Sequence, residues 1–218
     1  MNFTAGLDLG KARDFSALVV AERIRVDSGE WERNRWGERV SRLVDHYHVR
    51  HIQRWPRGTR YPEVVAQVGA LLGAPELRGS TKFRFDATGV GSAIEDMIQL
   101  AYRQGRCGTS YPEPITITSG RSGDNWLLVP KVDLVSQLQV LVQQQRIFIA
   151  EELPLATLLR QELLDFRVKI SQAGVDTYEA LTESAHDDLV TALALAVLRP
   201  HVPGDASRVG KDGAVYVR

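Results

Sequence analysis

Residues 4–20 read TAGLDLGKARDFSALVV. The residues before Gly10 and after Phe15 are apolar enough for strands, and GKARD between them carries turn residues, so the segment reads as one hairpin. Asp8 is the anomaly. It stands inside the first apolar run, where a lone buried charge costs several kcal/mol. With no helix there to cap, only a cation or a set of hydrogen-bond donors makes its burial tolerable.

Outward from this hairpin, VSRLVDHYHVRHIQRW reads as a third, longer strand, which gives an antiparallel three-strand meander. Helices and strands then alternate. YPEVVAQVGALLG has helical spacing and a glycine stop, TKFRFD is a strand, and SAIEDMIQLAYRQG is a helix opened by serine and closed by glycine. EPITITSG reads as a strand, VPKVDLVSQLQVLVQQQ as a helix with proline near its start, RIFIA as a strand and LPLATLLRQELLDF as a helix. VKISQAGVDTYEAL reads as a hairpin turning at Gly174, and SAHDDLVTALALAVL as the closing helix. Residues 1–199 thus form one domain, and residues 200–218, with Pro200, Pro203 and several glycine and aspartate turn signals, a loosely held tail. This order predicts an α/β fold whose mixed sheet, meander plus parallel strands, carries helices on both faces. In such sheets ligands gather where the strand order reverses.

The bulk properties narrow the function classes. A chain of 218 residues that is 44% hydrophobic can bury a core of its own. LVTALALAVL at 189–198 is the longest nearly unbroken apolar run, far short of the roughly 20 residues of a membrane span. Nor does a charged-then-apolar leader open the chain, so the expectation is a soluble, unexported protein with no membrane partner. Cys107 is the sole cysteine, which excludes an internal disulfide or a multi-cysteine zinc site and suits a reducing cytoplasm. Net charge is zero, but residues 23–60 hold ten arginines against five acids, with Trp31, Trp36 and Trp55 interleaved. That segment is a candidate phosphate-contacting surface, with Arg50, Arg54 and Arg57 its candidates; the plainer reading is a solvated strand pair.

Carboxylates mark three element ends. Asp8 lies late in the first strand, Asp86 ends TKFRFD, and Asp187 and Asp188 open the last helix. Asp86 could instead shape the TGVGS turn, and Asp187 follows Ser184 at the spacing of a capping box. Several carboxylates brought together must repel, take up protons or bind a cation. A ligand set of hard oxygens favours magnesium or manganese over zinc. His46, His48 and His51 share one stretch, but their near period-two spacing fits strand residues better than a metal site.

At these residues the sequence resembles the nuclease domain of phage large terminases, which has the RNase H-like fold. The resemblance rests on an aspartate in the first strand followed by a hairpin, a second aspartate before TGVG, and HDDLVTALALA on the closing helix. It spans roughly Phe3 to Leu198, and HDDLVTALALA is its most specific piece. It implies a metal-dependent endonuclease that hydrolyses duplex, concatemeric viral DNA during genome packaging by a two-metal mechanism with Mg2+ or Mn2+. Carried over, the catalytic aspartates fall on Asp8, Asp86 and Asp188, with Asp187 and Asp14 as further acidic positions. His186 is a candidate for proton transfer, and Lys131 for a backbone phosphate.

The implied partners are duplex DNA, a packaging ATPase motor, a small terminase and a portal, in the cytoplasm of a host cell. GLDLGKA is no Walker motif, since three residues separate its glycines and alanine stands where serine or threonine must meet magnesium. Either the chain is an excised domain or its motor is another chain. An actin-like phosphate-binding or ATPase domain is the competing reading, because LDLG opens such folds as well as junction resolvases. A nuclease-derived protein that binds DNA without cutting is a third.

Overall fold

Strands β1 (Phe3–Asp8), β2 (Ser16–Arg33) and β3 (Arg39–Trp55) form the expected antiparallel meander in the computed structural model. The structure describes residues 3–10, 14–79, 81–89, 91–108, 111–119, 125–173, 187–199, 208–209 and 215–216, with the backbone path alone for 166–173 and the last two pairs. Helix α1 (Tyr61–Leu72), strand β4 (Thr81–Asp86), helix α2 (Ser92–Arg103) and strand β5 (Glu113–Thr118) follow. Then come β6 (Leu128–Pro130), α3 (Lys131–Gln143), β7 (Ile147–Ile149), α4 (Ala156–Ala173) and α5 (Asp188–Val197).

The seven strands make one sheet in the order β6-β5-β4-β1-β2-β3-β7, in which β2 alone runs against the others. Leu18 and Val20 join one apolar cluster under α1 and α2, while Ala17, Val19 and Ala21 join a second under α3, α4 and α5. Period-two alternation puts successive residues on opposite faces, and here both faces are covered, which is why ALVVA is apolar throughout. Cys107 is buried in the first cluster. Among the described residues no helix is long and apolar enough to cross a membrane.

Three boundaries differ from the sequence reading. Val129 and Pro130, expected in a helix, form β6 with Leu128 and pair with β5, so α3 starts at Lys131 with Pro130 as its N-cap. Residues 168–173, expected as the first strand of a hairpin, continue α4, and the remainder of that hairpin, with Gly174, lies outside the described residues. Extending a formed helix adds one hydrogen bond per residue fixed, whereas a new strand needs a partner. β2 also runs on to Arg33 and pairs with β3 as a two-stranded ribbon beyond the rest of the sheet. Of residues 200–218 the structure describes two short paired strands, β8 (Arg208–Val209) and β9 (Val215–Tyr216).

Helix α5 is buried along nearly its whole length and lies against β1. A Cβ on Gly6 would stand 2.0 Å from the Ala192 carbonyl oxygen and 2.4 Å from the Ala196 nitrogen. Both atoms are backbone and cannot swing aside. At the far end of α5 the buried Arg84 guanidinium donates to the Leu195 and Ala196 carbonyls at 3.3 and 3.4 Å and pairs with Glu113 at 2.8 Å. A cation at the carbonyl end complements the helix dipole and fixes how far α5 slides along the sheet. We expect Gly6→Ala to destabilise the domain by about 3 kcal/mol or more, read as the shift of a urea unfolding midpoint.

Candidate active site

Because β1 and β4 are parallel neighbours reached by the chain in opposite directions from the meander, their C-terminal ends flank the point where strand order reverses. This is the crevice in which open α/β sheets collect ligands. Leu7 is in register with Phe85, so the next residues, Asp8 and Asp86, end adjacent strands side by side. The turn after β1 is fixed by three features. Gly10 N–H donates to the Ser16 hydroxyl at 3.1 Å, Tyr61 donates to the Gly10 carbonyl at 3.0 Å, and a Cβ on Gly10 would stand 2.2 Å from the Phe15 carbonyl oxygen.

Asp86 accepts the Thr88 N–H at 2.7 Å, and the Thr88 hydroxyl accepts the Ile117 N–H at 2.8 Å, so one carboxylate oxygen shapes the turn. It does not cap α2, whose N-cap is Gly91 in a positive-φ conformation. Asp187 is the N-cap residue of α5 but makes no side-chain cap bond. That task falls to Glu162 of α4, which accepts the Leu189 N–H at 3.2 Å.

Burial pushes the Asp8 carboxyl well above the ordinary carboxylate range, and the charges of Asp86, Asp188, Asp187 and Asp14 add to the shift. The other four expected acids therefore all act electrostatically on Asp8. Glu162, 6% exposed, is raised to about 7, by burial first and by Asp188, against the opposing effects of Arg54 and the α5 N–H groups. Among the described residues, no three His, Cys, Asp or Glu side chains stand close enough together to encircle one ion. Asp188 is turned instead toward Arg54, whose Nη2 donates to Oδ2 at 2.7 Å.

The donor chemistry nonetheless fits divalent ions of the magnesium class: carboxylates only, on rigid strand and helix ends, beside the N-terminus of a helix. That N-terminus is the positive end of the α5 dipole and favours the two carboxylates placed there.

The other sequence candidates fall in different places. Lys131 opens α3 at the same end of the sheet, two strands along from Asp86. Arg57 lies at that end too, its guanidinium over the Phe15 ring at 4.6 Å. Arg54, expected on an exposed arginine surface, has a side chain only 12% exposed and belongs to the acidic site itself. Arg50 lies farther back in β3, paired with Glu22 at 2.8 Å. His186 lies outside the described residues. His46 and His48 are β3 residues stacked on Phe148 at 5.3 and 4.5 Å. Glu162 was missed, although an acid three residues after the buried Leu159 interrupts the apolar stripe of α4 and is a readable signal.

Fold comparison agrees with this geometry. The chain has the RNase H-like fold of terminase nuclease domains. It superposes on the large terminase nuclease of thermophilic phage G20c with a TM-score of 0.52 and 19% identity, over 89% of this chain and 80% of that one. The human cytomegalovirus terminase nuclease domain aligns with a TM-score of 0.51 and 8% identity, over 89% and 81% of the two chains. The same viral domain, manganese-soaked and inhibitor-bound, gives 0.50 and 12%, over 89% and 80%. No family model matches the sequence, and no curated protein matches it.

The raised carboxyls set a pH dependence. A carboxyl whose folded pKa exceeds its unfolded value binds more protons folded, so its contribution to stability is lost as pH rises through the folded value. We expect the melting temperature of the protein in EDTA to fall between pH about 4.5 and about 7, and Glu162→Gln or Asp8→Asn to flatten that fall. Thermal melts at several pH values read it directly.

Proposed function

We propose that the chain is a divalent-metal-dependent endonuclease of the large-terminase type, which hydrolyses phosphodiester bonds of duplex DNA. One observation carries the reading. Asp8, buried at the strand-end crevice, is pushed well above the ordinary carboxylate range by that burial first, and then by the charges of Asp86, Asp188, Asp187 and Asp14. Such a cluster is electrostatically unfavourable unless cations neutralise it. Likeness of fold to terminase nuclease domains, one of them soaked with manganese, supports the same conclusion.

Two ions, Mg2+ or Mn2+, would supply a water activated at neutral pH and positive charge against the departing 3′ oxygen. Asp8, on a central strand with neighbours on both sides, would hold the ions. Asp86 and Asp188 would complete the ligand set, and Asp187 and Asp14 would add negative charge. Lys131 and Arg57, at the same end of the sheet, would orient the DNA backbone. By the same reading the protein serves viral genome packaging in the host cytoplasm, with an ATPase motor, a small terminase and a portal as partners.

Plasmid DNA incubated with the protein should be nicked and linearised with manganese or magnesium and without ATP. Undiminished cutting in excess EDTA would overturn the metal mechanism, and a strict need for ATP would favour the actin-like reading. Asp8→Asn should reduce cleavage by about 10³-fold or more while the protein still melts cooperatively. Asp188→Asn should be nearly as damaging, Asp187→Asn milder and Asp14→Asn the mildest.

A further inference from the structure

Asp8, Ala17 and Arg54 lie in one row across β1, β2 and β3, which puts the Arg54 side chain on the acidic face of the sheet. Its guanidinium meets Asp188, Glu162 and Phe15 there. It donates to Asp188 Oδ2 at 2.7 Å, stands 3.5 Å from Glu162 Oε1, and lies over the Phe15 ring at 3.8 Å. Arg57 lies over the same ring.

The bond to Asp188 conflicts with the use proposed for that residue. A hard divalent ion takes a carboxylate oxygen at about 2.0–2.1 Å, and a guanidinium already on that oxygen both blocks the approach and repels the ion. Leaving Asp188 does not require Arg54 to leave the site, because Phe15 and Glu162 still hold it. A guanidinium freed there, with Arg57 on the same aromatic shelf, presents paired donors of the geometry that phosphodiester oxygens accept.

We propose that Arg54 is a resident counter-cation, which neutralises Asp188 in the metal-free protein, is displaced from it by a divalent ion, and then holds a backbone phosphate of the DNA. This rests on the nuclease reading above and adds an order of events: the site exchanges its own cation for the metal before it grips substrate.

The test is manganese binding by calorimetry on the whole chain, for wild type and Arg54→Gln. Removing the competing charge should tighten manganese binding about tenfold. A residue that merely supported the fold would weaken binding when replaced, so the direction is diagnostic. Arg54→Lys, which keeps the charge, should bind manganese within about twofold of wild type. Phe15→Leu loosens the shelf without touching a carboxylate and should tighten binding about threefold, which keeps the proposal testable if Arg54→Gln fails to fold. At saturating manganese, KM for plasmid should rise about fivefold in Arg54→Gln with kcat less affected.

Manganese affinity unchanged or weaker in Arg54→Gln overturns the displacement, and an unchanged KM overturns the phosphate contact. If wild type and variants alike bind no manganese, the nuclease reading fails and this inference with it.

Discussion

The approach of α5 to β1 at Gly6 is the constraint on which the site depends. Gly6 is two residues before Asp8 in a strand, so both lie on the same face. When the helix backbone settles onto Gly6, its N-terminal residues come level with the end of β1, and Asp187 and Asp188 come within electrostatic reach of Asp8. A side chain at residue 6 would push the helix away from β1 and widen the crevice. Arg84 fixes the same arrangement from the other end through the last α5 carbonyls. Carboxylates far apart in sequence are therefore aligned by two backbone contacts on one helix.

That alignment stores unfavourable charge, and the fold offsets it in three ways. The α5 dipole presents its positive end to the acids, Asp8 and Glu162 are pushed toward their neutral forms, and Arg54 supplies a full positive charge. None of these neutralises the whole cluster. Partial compensation lets the protein fold and leaves the negative charge that the proposed cation binding would relieve.

Much of this was legible in the sequence because it rests on local pattern. Asp8 interrupts an apolar strand, Asp86 ends one and Asp188 opens a helix, so periodicity and element boundaries suffice to single them out. Arg54 and Glu162 were harder because their roles depend on tertiary register. The β-bulge at the Val20/Ala21 step skips Arg50 in the pairing and resets the sidedness of β3, which brings Arg54 onto the acidic face. Arg84 lies between Phe83 and Phe85, where its tertiary partners, the carbonyl end of α5 and Glu113, explain a buried arginine. β6 is too short to carry a period at all, and its place follows from the free edge of β5.

The same register divides the arginine-rich segment in two. Ser16 and Trp55 lie at the acidic end of the sheet, while the ribbon runs 18 residues along β2 to Arg33, on the order of 50 Å away at strand rise. Arg54 and Arg57 therefore belong to the site. Arg33, Arg35, Arg39 and Arg42 belong to the distant ribbon, where each is held locally: Arg33 on the Gly37 carbonyl, Arg35 over Trp36, Arg39 over Trp31, and Arg42 on Glu30. An arginine count over residues 23–60 suggests one phosphate-tracking surface, but strand direction sets the ribbon arginines far from Arg54 and Arg57, with Arg23, Arg25 and Arg50 paired to Asp45 and Glu22 between them. The guanidinium groups at the acidic end of the sheet come from the last few residues of β3 and the turn that follows.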